Sequence, residues 1–316
     1  MVKDLAISTH GLTKQFDRHR AIHEVDLNVE VGEVYGLIGP NGAGKTTLIR
    51  LLAAAEDPTT GEIFLNGERL LRDQSNAQLK RHIGYLPDDY PLYDDLSVWE
   101  YLDYFARLYQ LREPRRTQRM REVLDLVQLS PKRSSQISTL SRGMKQRLSL
   151  ARTIIHEPLL LLLDEPVSGL DPIARMQFRE IVKTLQEAGM TILISSHVLS
   201  DLAELCSSVG IMELGYLVES TSLQNLYSRL SRQQIILATL GDLDALRSEL
   251  CQHPDVENIE ILPGSRRLRV EFSGSAEAGV TLLRSLIAAG IPLSEFHPTQ
   301  EDLETIFLKL GHQQAS

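Results

Sequence analysis

The stretch Gly39-Pro40-Asn41-Gly42-Ala43-Gly44-Lys45-Thr46-Thr47 restricts the folds open to this chain more than any other part of it. It fits the pattern G-x-x-x-x-G-K-[ST], led by an apolar run over 34–38 and followed by helix-forming residues over 48–55. Strand, glycine-rich turn and helix are the setting this motif requires. Its glycines let successive backbone N–H groups curl inward toward phosphate oxygens, where a Cβ would obstruct them. The helix start adds the positive end of a dipole, Lys45 a point charge for β- and γ-phosphates, and Thr46 a hydroxyl for Mg²⁺. The ordinary alternative is a glycine turn that happens to hold a lysine, and the flanking strand and helix argue against it. A nucleotide phosphate site is expected here.

Further along, residues 159–163 are five leucines running into Asp164-Glu165-Pro166. An uninterrupted apolar strand is one covered on both faces of a parallel sheet. An Asp at its tip beside a phosphate loop can order Mg²⁺, and the adjacent Glu165 is a candidate to polarise an attacking water. Residues 190–197 form another apolar strand, ending in His197, which then stands where it can meet a γ-phosphate. Leu140-Ser141-Arg142-Gly143-Met144 opens a helix to about 155, with Ser141 as its N-cap and a second possible anion contact.

The remaining elements fall around these. Strands are expected over 5–10 and 25–31, with Phe16 between them as a half-buried strand-end ring or as an adenine-stacking platform. Residues 62–67 read as a strand entering an Asn-Gly hairpin turn, and 83–87 as a short strand ended by proline. The pattern over 97–129 is helical, with Trp99, Leu102, Phe105 and Leu108 at three-residue spacing and Pro114 in the first turn of a second helix. Tyr85, Tyr90, Tyr93, Trp99, Tyr101, Tyr104, Phe105 and Tyr109 crowd into that part of the chain. Core packing and an aromatic partner-binding surface account for them equally well. A helix follows over 173–188. Alternation of strand and helix to this point requires a mainly parallel α/β sheet. The organisation changes around 215–230. Beyond it, strands over 233–240, 256–262, 267–272 and 292–297 and helices over 243–251, 277–289 and 301–310 follow the order of a ferredoxin-like α+β unit. That unit carries no catalytic constellation and reads as a regulatory or dimerising domain.

A formal net charge of −9 argues against general affinity for nucleic acid. Cys206 and Cys251, the two cysteines of the chain, are far apart and read as reduced thiols of a cytosolic protein. The start of the chain reads as a strand and not a signal peptide. No apolar run approaches the ~20 residues that cross a bilayer, so a membrane role needs a separate chain.

In their order and spacing over about 4–220, the phosphate loop, the 140–144 segment, the 159–165 strand, Ser168-Gly169-Leu170-Asp171 and His197 resemble an ATP-binding cassette (ABC) ATPase. The final segment, 302–310, and Gly143-Met144-Lys145-Gln146-Arg147 are similar to nucleotide-binding subunits of bacterial drug- or sodium-extruding exporters. The resemblance implies a P-loop NTPase fold over 1–220: a parallel-core sheet, an antiparallel β-subdomain and a helical subdomain at about 88–155. Residues 221–316 would form the C-terminal domain. It implies ATP and Mg²⁺ as cofactors, with Gly39, Asn41, Gly42, Gly44, Lys45, Thr46 and Thr47 around the phosphates and Phe16 stacking on adenine. Thr46, Asp164 and Asp88 would hold Mg²⁺, Glu165 would be the catalytic base, and His197 would sense the γ-phosphate. Ser141 and Gly143 would contact ATP held by the opposite subunit, because such cassettes close head to tail. A homodimer serving a separate transmembrane permease from the cytoplasmic face of the membrane is therefore expected, with no nucleic-acid partner.

The chain departs from the family pattern in three places. Arg142 and Met144 stand where the signature usually has glycine and glutamine, and Arg142 is expected to point outward. Asp88 stands where a glutamine usually ligates Mg²⁺. It is shorter and, ionised, cannot donate a hydrogen bond, so a bridging water, an altered loop or Asp89 would have to compensate. Two rivals differ in class. A cassette acting on nucleic acid or ribosomes would carry paired cassettes, coiled-coil insertions or zinc modules, and a non-catalytic ATP-binding regulator would not need Glu165 and His197.

Overall fold

The structure, a computed structural model, describes residues 4–71, 76–197, 202, 205–230, 233–262 and 266–300. The first of its two compact units, Met1–Leu223, is built on β1 (Leu5–Phe16), β2 (His19–Val25), β3 (Asn28–Glu30), β4 (Val34–Ile38), α1 (Lys45–Leu52), β5 (Thr60–Leu65), β6 (Glu68–Arg69), α2 (Ala77–Arg81) and β7 (Ile83–Leu86). It continues through α3 (Val98–Leu108), α4 (Arg115–Leu126), α5 (Arg142–Ile154), β8 (Leu160–Leu163), α6 (Pro172–Glu187), β9 (Thr191–Ser196), β10 (Ser208–Glu213) and β11 (Tyr216–Ser222). No described helix is long and apolar enough to cross a membrane.

The central sheet has the order β11-β10-β4-β9-β8-β7. Its pairings from β10 to β7 are parallel, and β11 joins antiparallel at one edge. Every residue of β4, β8 and β9 is buried, as strands covered on both faces must be. One consequence governs the site. Parallel strands discharge their chains at the same edge, so the segments after β4, β7, β8 and β9 emerge side by side. Registers of Ile38 with Ser196, Leu163 with Ile194 and Leu86 with Leu163 keep those ends level.

An antiparallel sheet, β2-β1-β5-β6 with β3 on β1, covers α1. Ile7, Leu12 and Ile22 from it, Leu48, Ile49, Leu51 and Leu52 of α1, and Leu37, Leu160 and Leu162 of the central sheet form one core. Here the expected strand over 25–31 is corrected. β2 ends at Val25 because the chain bends: Thr9 Oγ1 donates to Val25 O at 2.8 Å and accepts from Leu27 N at 2.8 Å, and Gly11 N donates to Asp26 Oδ1 at 2.6 Å. β1 correspondingly runs past residue 10 to Phe16, through a register shift. The Asn-Gly hairpin forms as expected, with Asn66 and Gly67 both at positive φ (49° and 80°) between β5 and β6.

In the helical segment, Ser97 and Glu100 cap α3 reciprocally. Its buried face is Val98, Tyr101, Leu102 and Ala106, not the expected 99-102-105-108 row. That row drifts around a helix of 3.6 residues per turn, and Leu108 ends 58% exposed. The aromatic cluster divides between its two readings: Tyr101 is fully buried, whereas Tyr93 and Tyr104 are each 46% exposed and meet edge to face.

The second unit, Gln224–Ser316, contains most of α7 (Leu223–Leu230), then β12 (Gln233–Thr239), α8 (Leu243–Leu250), β13 (Val256–Ile261), β14 (Arg267–Phe272), α9 (Ala276–Ala288) and β15 (Leu293–Gln300). Its antiparallel sheet has the order β13-β14-β12-β15, the ferredoxin-like arrangement. Leu268, Val270 and Phe272 alternate inward against Leu246, Leu250, Leu282 and Leu286. The helix expected over 301–310 lies outside the described residues.

Candidate nucleotide site

The loop after β4 curls over the start of α1. Gly39 has no room for a side chain: a Cβ there would lie 2.3 Å from Met212 O. Gly44, at φ 103°, lets the chain turn left-handed directly into α1. The Lys45 side chain folds back, its Nζ donating to Gly39 O at 2.7 Å and Pro40 O at 3.3 Å, with Glu165 Oε1 3.3 Å away. Lys45 is only 5% exposed, yet all its partners are loop carbonyls and one carboxylate. A phosphate arriving in the loop would displace these weaker acceptors from the ammonium.

Asp164 leaves β8 beside this loop. Its Oδ1 accepts from Thr46 Oγ1 at 3.1 Å and from Ser195 Oγ at 2.8 Å. Its Oδ2 is buried without a hydrogen-bond partner. Burial pushes the Asp164 carboxyl pKa up, hydrogen bonds from Ser195 and Thr46 pull it down, and the nearby Glu165 and Asp88 charges add to the rise. An orphaned carboxylate oxygen next to a threonine hydroxyl fits a divalent cation, which satisfies such an oxygen and favours the ionised form.

Glu165 sits at φ 47°, a left-handed conformation that costs energy for any residue but glycine. Ser195 holds it there by accepting from Glu165 N at 2.9 Å, while Glu165 Oε2 meets His197 Nδ1 at 2.7 Å. Strand ends thus bring Lys45, Thr46, Asp164, Glu165 and His197 into one hydrogen-bonded group. Asp88 is exposed after β7 and within the electrostatic reach of Asp164. Asn41 and Gly42 are exposed in the loop, and Thr47 is half-buried in the first turn of α1. Phe16 is 42% exposed at a hairpin tip, with Lys14 Nζ 4.6 Å from its ring centre. The same hairpin brings Ala21 O against Gly44.

Ser141 and Gly143 stand apart. Ser141 caps α5 by accepting from Met144 N at 3.3 Å. Gly143 packs against α6, where a Cβ would lie 2.8 Å from Ala174 Cβ. Among the described residues no hydrogen bond joins either to the phosphate loop. Arg142, expected to point outward, is exposed but lays its guanidinium on the 168–169 turn, with Nη2 donating to Ser168 O at 3.0 Å.

Two partners were not anticipated from sequence. Ser195 bridges Asp164 and Glu165 from a fully buried position, and Tyr90 donates its hydroxyl to Gln146 of α5, tying the segment after Asp88 to that helix. The Ser195-Ser196-His197 wording at a strand end was the only hint of the first.

A phosphate loop after β4 and two carboxylates after β8, on a parallel sheet, define a P-loop nucleotide-binding protein. The ABC transporter family model matches residues 22–168. YxlF of Bacillus subtilis (strain 168), an uncharacterized ABC transporter ATP-binding protein, is 35% identical over 306 residues, covering 97% of this chain and 99% of that protein. The bacitracin transport ATP-binding protein BcrA of Bacillus licheniformis is 33% identical over 305 residues, covering 96% of each. A dimeric bacterial ABC transporter cassette, MJ0796, shares the fold with a TM-score of 0.63 at 24% identity, over 69% of this chain and 98% of that one. The chain belongs to the ATP-binding subunits of ABC transporters, which hydrolyse ATP to drive transport. These relatives lend no support to the rival reading of a cassette acting on nucleic acid.

Proposed function

We propose that this chain is the ATPase of an exporter, working as a homodimer beneath a separate membrane permease on the cytoplasmic face. The observation that carries the catalytic reading is the hydrogen-bonded group of Lys45, Thr46, Asp164, Glu165, Ser195 and His197 at one edge of the sheet. Gly39, Asn41, Gly42, Gly44 and Thr47 surround the phosphates through the loop, and Phe16 offers a ring for adenine. Thr46 and Asp164, with Asp88 or a water on it, would hold Mg²⁺, which when bound neutralises charge on the phosphate oxygens. Glu165 polarises the attacking water. Its Oε1 is released when Lys45 turns to the phosphates, and its Oε2 stays with His197, which senses the γ-phosphate.

The dimer follows from what one chain lacks. It has one phosphate loop and one Ser141-Arg142-Gly143-Met144 tip, unconnected within the subunit by any described hydrogen bond. Head-to-tail pairing lets the tip of one subunit close on ATP held by the other. Similarity along nearly the whole length to a bacitracin transport protein supports export as the direction. The exposed Tyr93, Tyr104 and Leu108 supply an aromatic face of the kind partner proteins bind. We assign the cassette to 1–220, its helical part to about 88–155, and a regulatory or dimerising role to 221–316.

Glu165→Gln keeps the shape and removes the base. The expected result is a fall in ATP turnover of about 10²–10⁴-fold and a stable dimer with Mg·ATP, read by light scattering. A variant that turns over normally, or stays monomeric with saturating nucleotide and with its permease, would refute the proposal.

A further inference from the structure

We infer that Arg142 is a positioning residue for hydrolysis, fastening the tip of α5 to the Ser168–Gly169 turn that follows Glu165 in the same subunit. A cation in the first turn of a helix opposes the helix dipole. Local electrostatics therefore disfavour arginine at the first residue of α5, and its tertiary contact is what offsets that cost. The guanidinium does two things there. Its Nη2 donates to Ser168 O at 3.0 Å. Its flat face covers Gly169: a Cβ on that glycine would lie 2.5, 2.6 and 2.6 Å from Nη2, Cζ and Nη1. Three nearly equal distances mean that the plane of the guanidinium faces the glycine Cα. Gly169 is at φ +66°, so both its backbone and the space above it exclude other residues. Arginine at 142 and glycine at 169 are complementary in shape.

The turn they hold connects directly to the hydrolytic carboxylate. Ser168 N donates to Glu165 O at 3.1 Å, closing a tight turn on a residue that already sits at φ 47°. A strained residue keeps its conformation only while its surroundings hold it. Below the arginine, the Gly143–Ala174 contact lets α5 approach the first turn of α6. A short mechanical path therefore runs from Ser141 through Arg142 and Ser168 to Glu165. This inference rests on the proposed head-to-tail dimer. In that dimer the tip of a subunit engages one ATP while its Glu165 serves the other, and Arg142 links the two pockets.

The test uses the full chain and compares wild type with Arg142→Ala, Arg142→Lys, Gly169→Ala and the double variant Arg142→Ala/Gly169→Ala. Turnover, KM, ATP affinity from a fluorescent analogue, and Tm are measured for each. Arg142→Ala is expected to lower kcat about tenfold or more, as misplaced catalytic geometry does, with KM and ATP affinity within about twofold. Arg142→Lys recovers part of the loss, since it keeps a donor for Ser168 O but not the flat face. Gly169→Ala reproduces the loss by displacing the guanidinium, and the double variant falls little further, the non-additivity of a shared contact. Wild-type kcat in Arg142→Ala, independent additive losses, or a lowered Tm with unchanged kcat per folded molecule would overturn the inference. Failure of all the variants to fold would also overturn it, by making the contact a folding element. A wild-type chain without ATPase activity would instead strike the proposed function, so the two failures are distinguishable.

Discussion

Lys45→Met asks whether the resting nucleotide site is held together by the residue that later meets the phosphates. Lys45 Nζ lies 3.3 Å from Glu165 Oε1, with side-chain exposures of 6% and 13%. The substitution removes the cation from a place where Glu165, Asp164 and Asp88 bring their charges together, and strips Gly39 O and Pro40 O of their donor. Breaking one side of an enclosed ion pair costs about 3–5 kcal/mol. Here Glu165 keeps His197 at 2.7 Å, which reduces the figure to about 2–3 kcal/mol, in line with single hydrogen bonds to charged groups. For a unit the size of the cassette, 1 kcal/mol moves Tm by about 2–4 °C, so the variant should melt about 4–12 °C lower. Differential scanning calorimetry of the nucleotide-free proteins reads this directly. Adding Mg·ATP at about 100 times its Kd should stabilise the wild type by about 2.7 kcal/mol, or about 5–11 °C, and leave Lys45→Met nearly unmoved. A nucleotide-free Tm within about 1 °C of wild type would refute the ion-pair reasoning. An equal ATP shift in both proteins would refute the role of Lys45 in binding.

Ser195→Ala removes the hydroxyl shared between Asp164 Oδ1 and Glu165 N. Because Ser195 is fully buried, urea denaturation should show a loss of about 1–3 kcal/mol, and turnover should fall with it as Glu165 loses its anchor; unchanged turnover would separate the serine from the site. His156 stacks on Tyr109 at 3.9 Å and donates through Nε2 to Ile83 O at 3.1 Å. Burial depresses its pKa, so the folded chain prefers the neutral ring. A depressed folded pKa means that its stabilising contribution is intact above the unfolded value of about 6.5 and declines as pH falls through the folded value. The stability of His156→Gln, measured by urea titration between pH 7.5 and 5, should fall less steeply than that of wild type; parallel slopes would refute it.

Much of the site was readable because its residues end strands of one parallel sheet. A run such as 159–163 can only be covered on both sides, and whatever follows it emerges beside the loop after β4. Lys45, Asp164, Glu165 and His197 were therefore legible from spacing and apolar runs. Ser195 was not, because its value depends on register: Leu163 opposes Ile194, and only that alignment sets a serine hydroxyl between the two carboxylate residues. The boundary at Val25 was hidden for a related reason. Alternation continues through Asp26, while the bend is imposed by Thr9 and Gly11 from another strand. Arg142 shows the limit most clearly. Taken alone, it is a surface arginine on a helix tip, and Gly169 is one more turn glycine. Neither position carries a periodicity or a motif that points to the other. What joins them is a flat cation filling the space a side chain would need, and that complementarity exists only once α5 and the turn after β8 have been packed together.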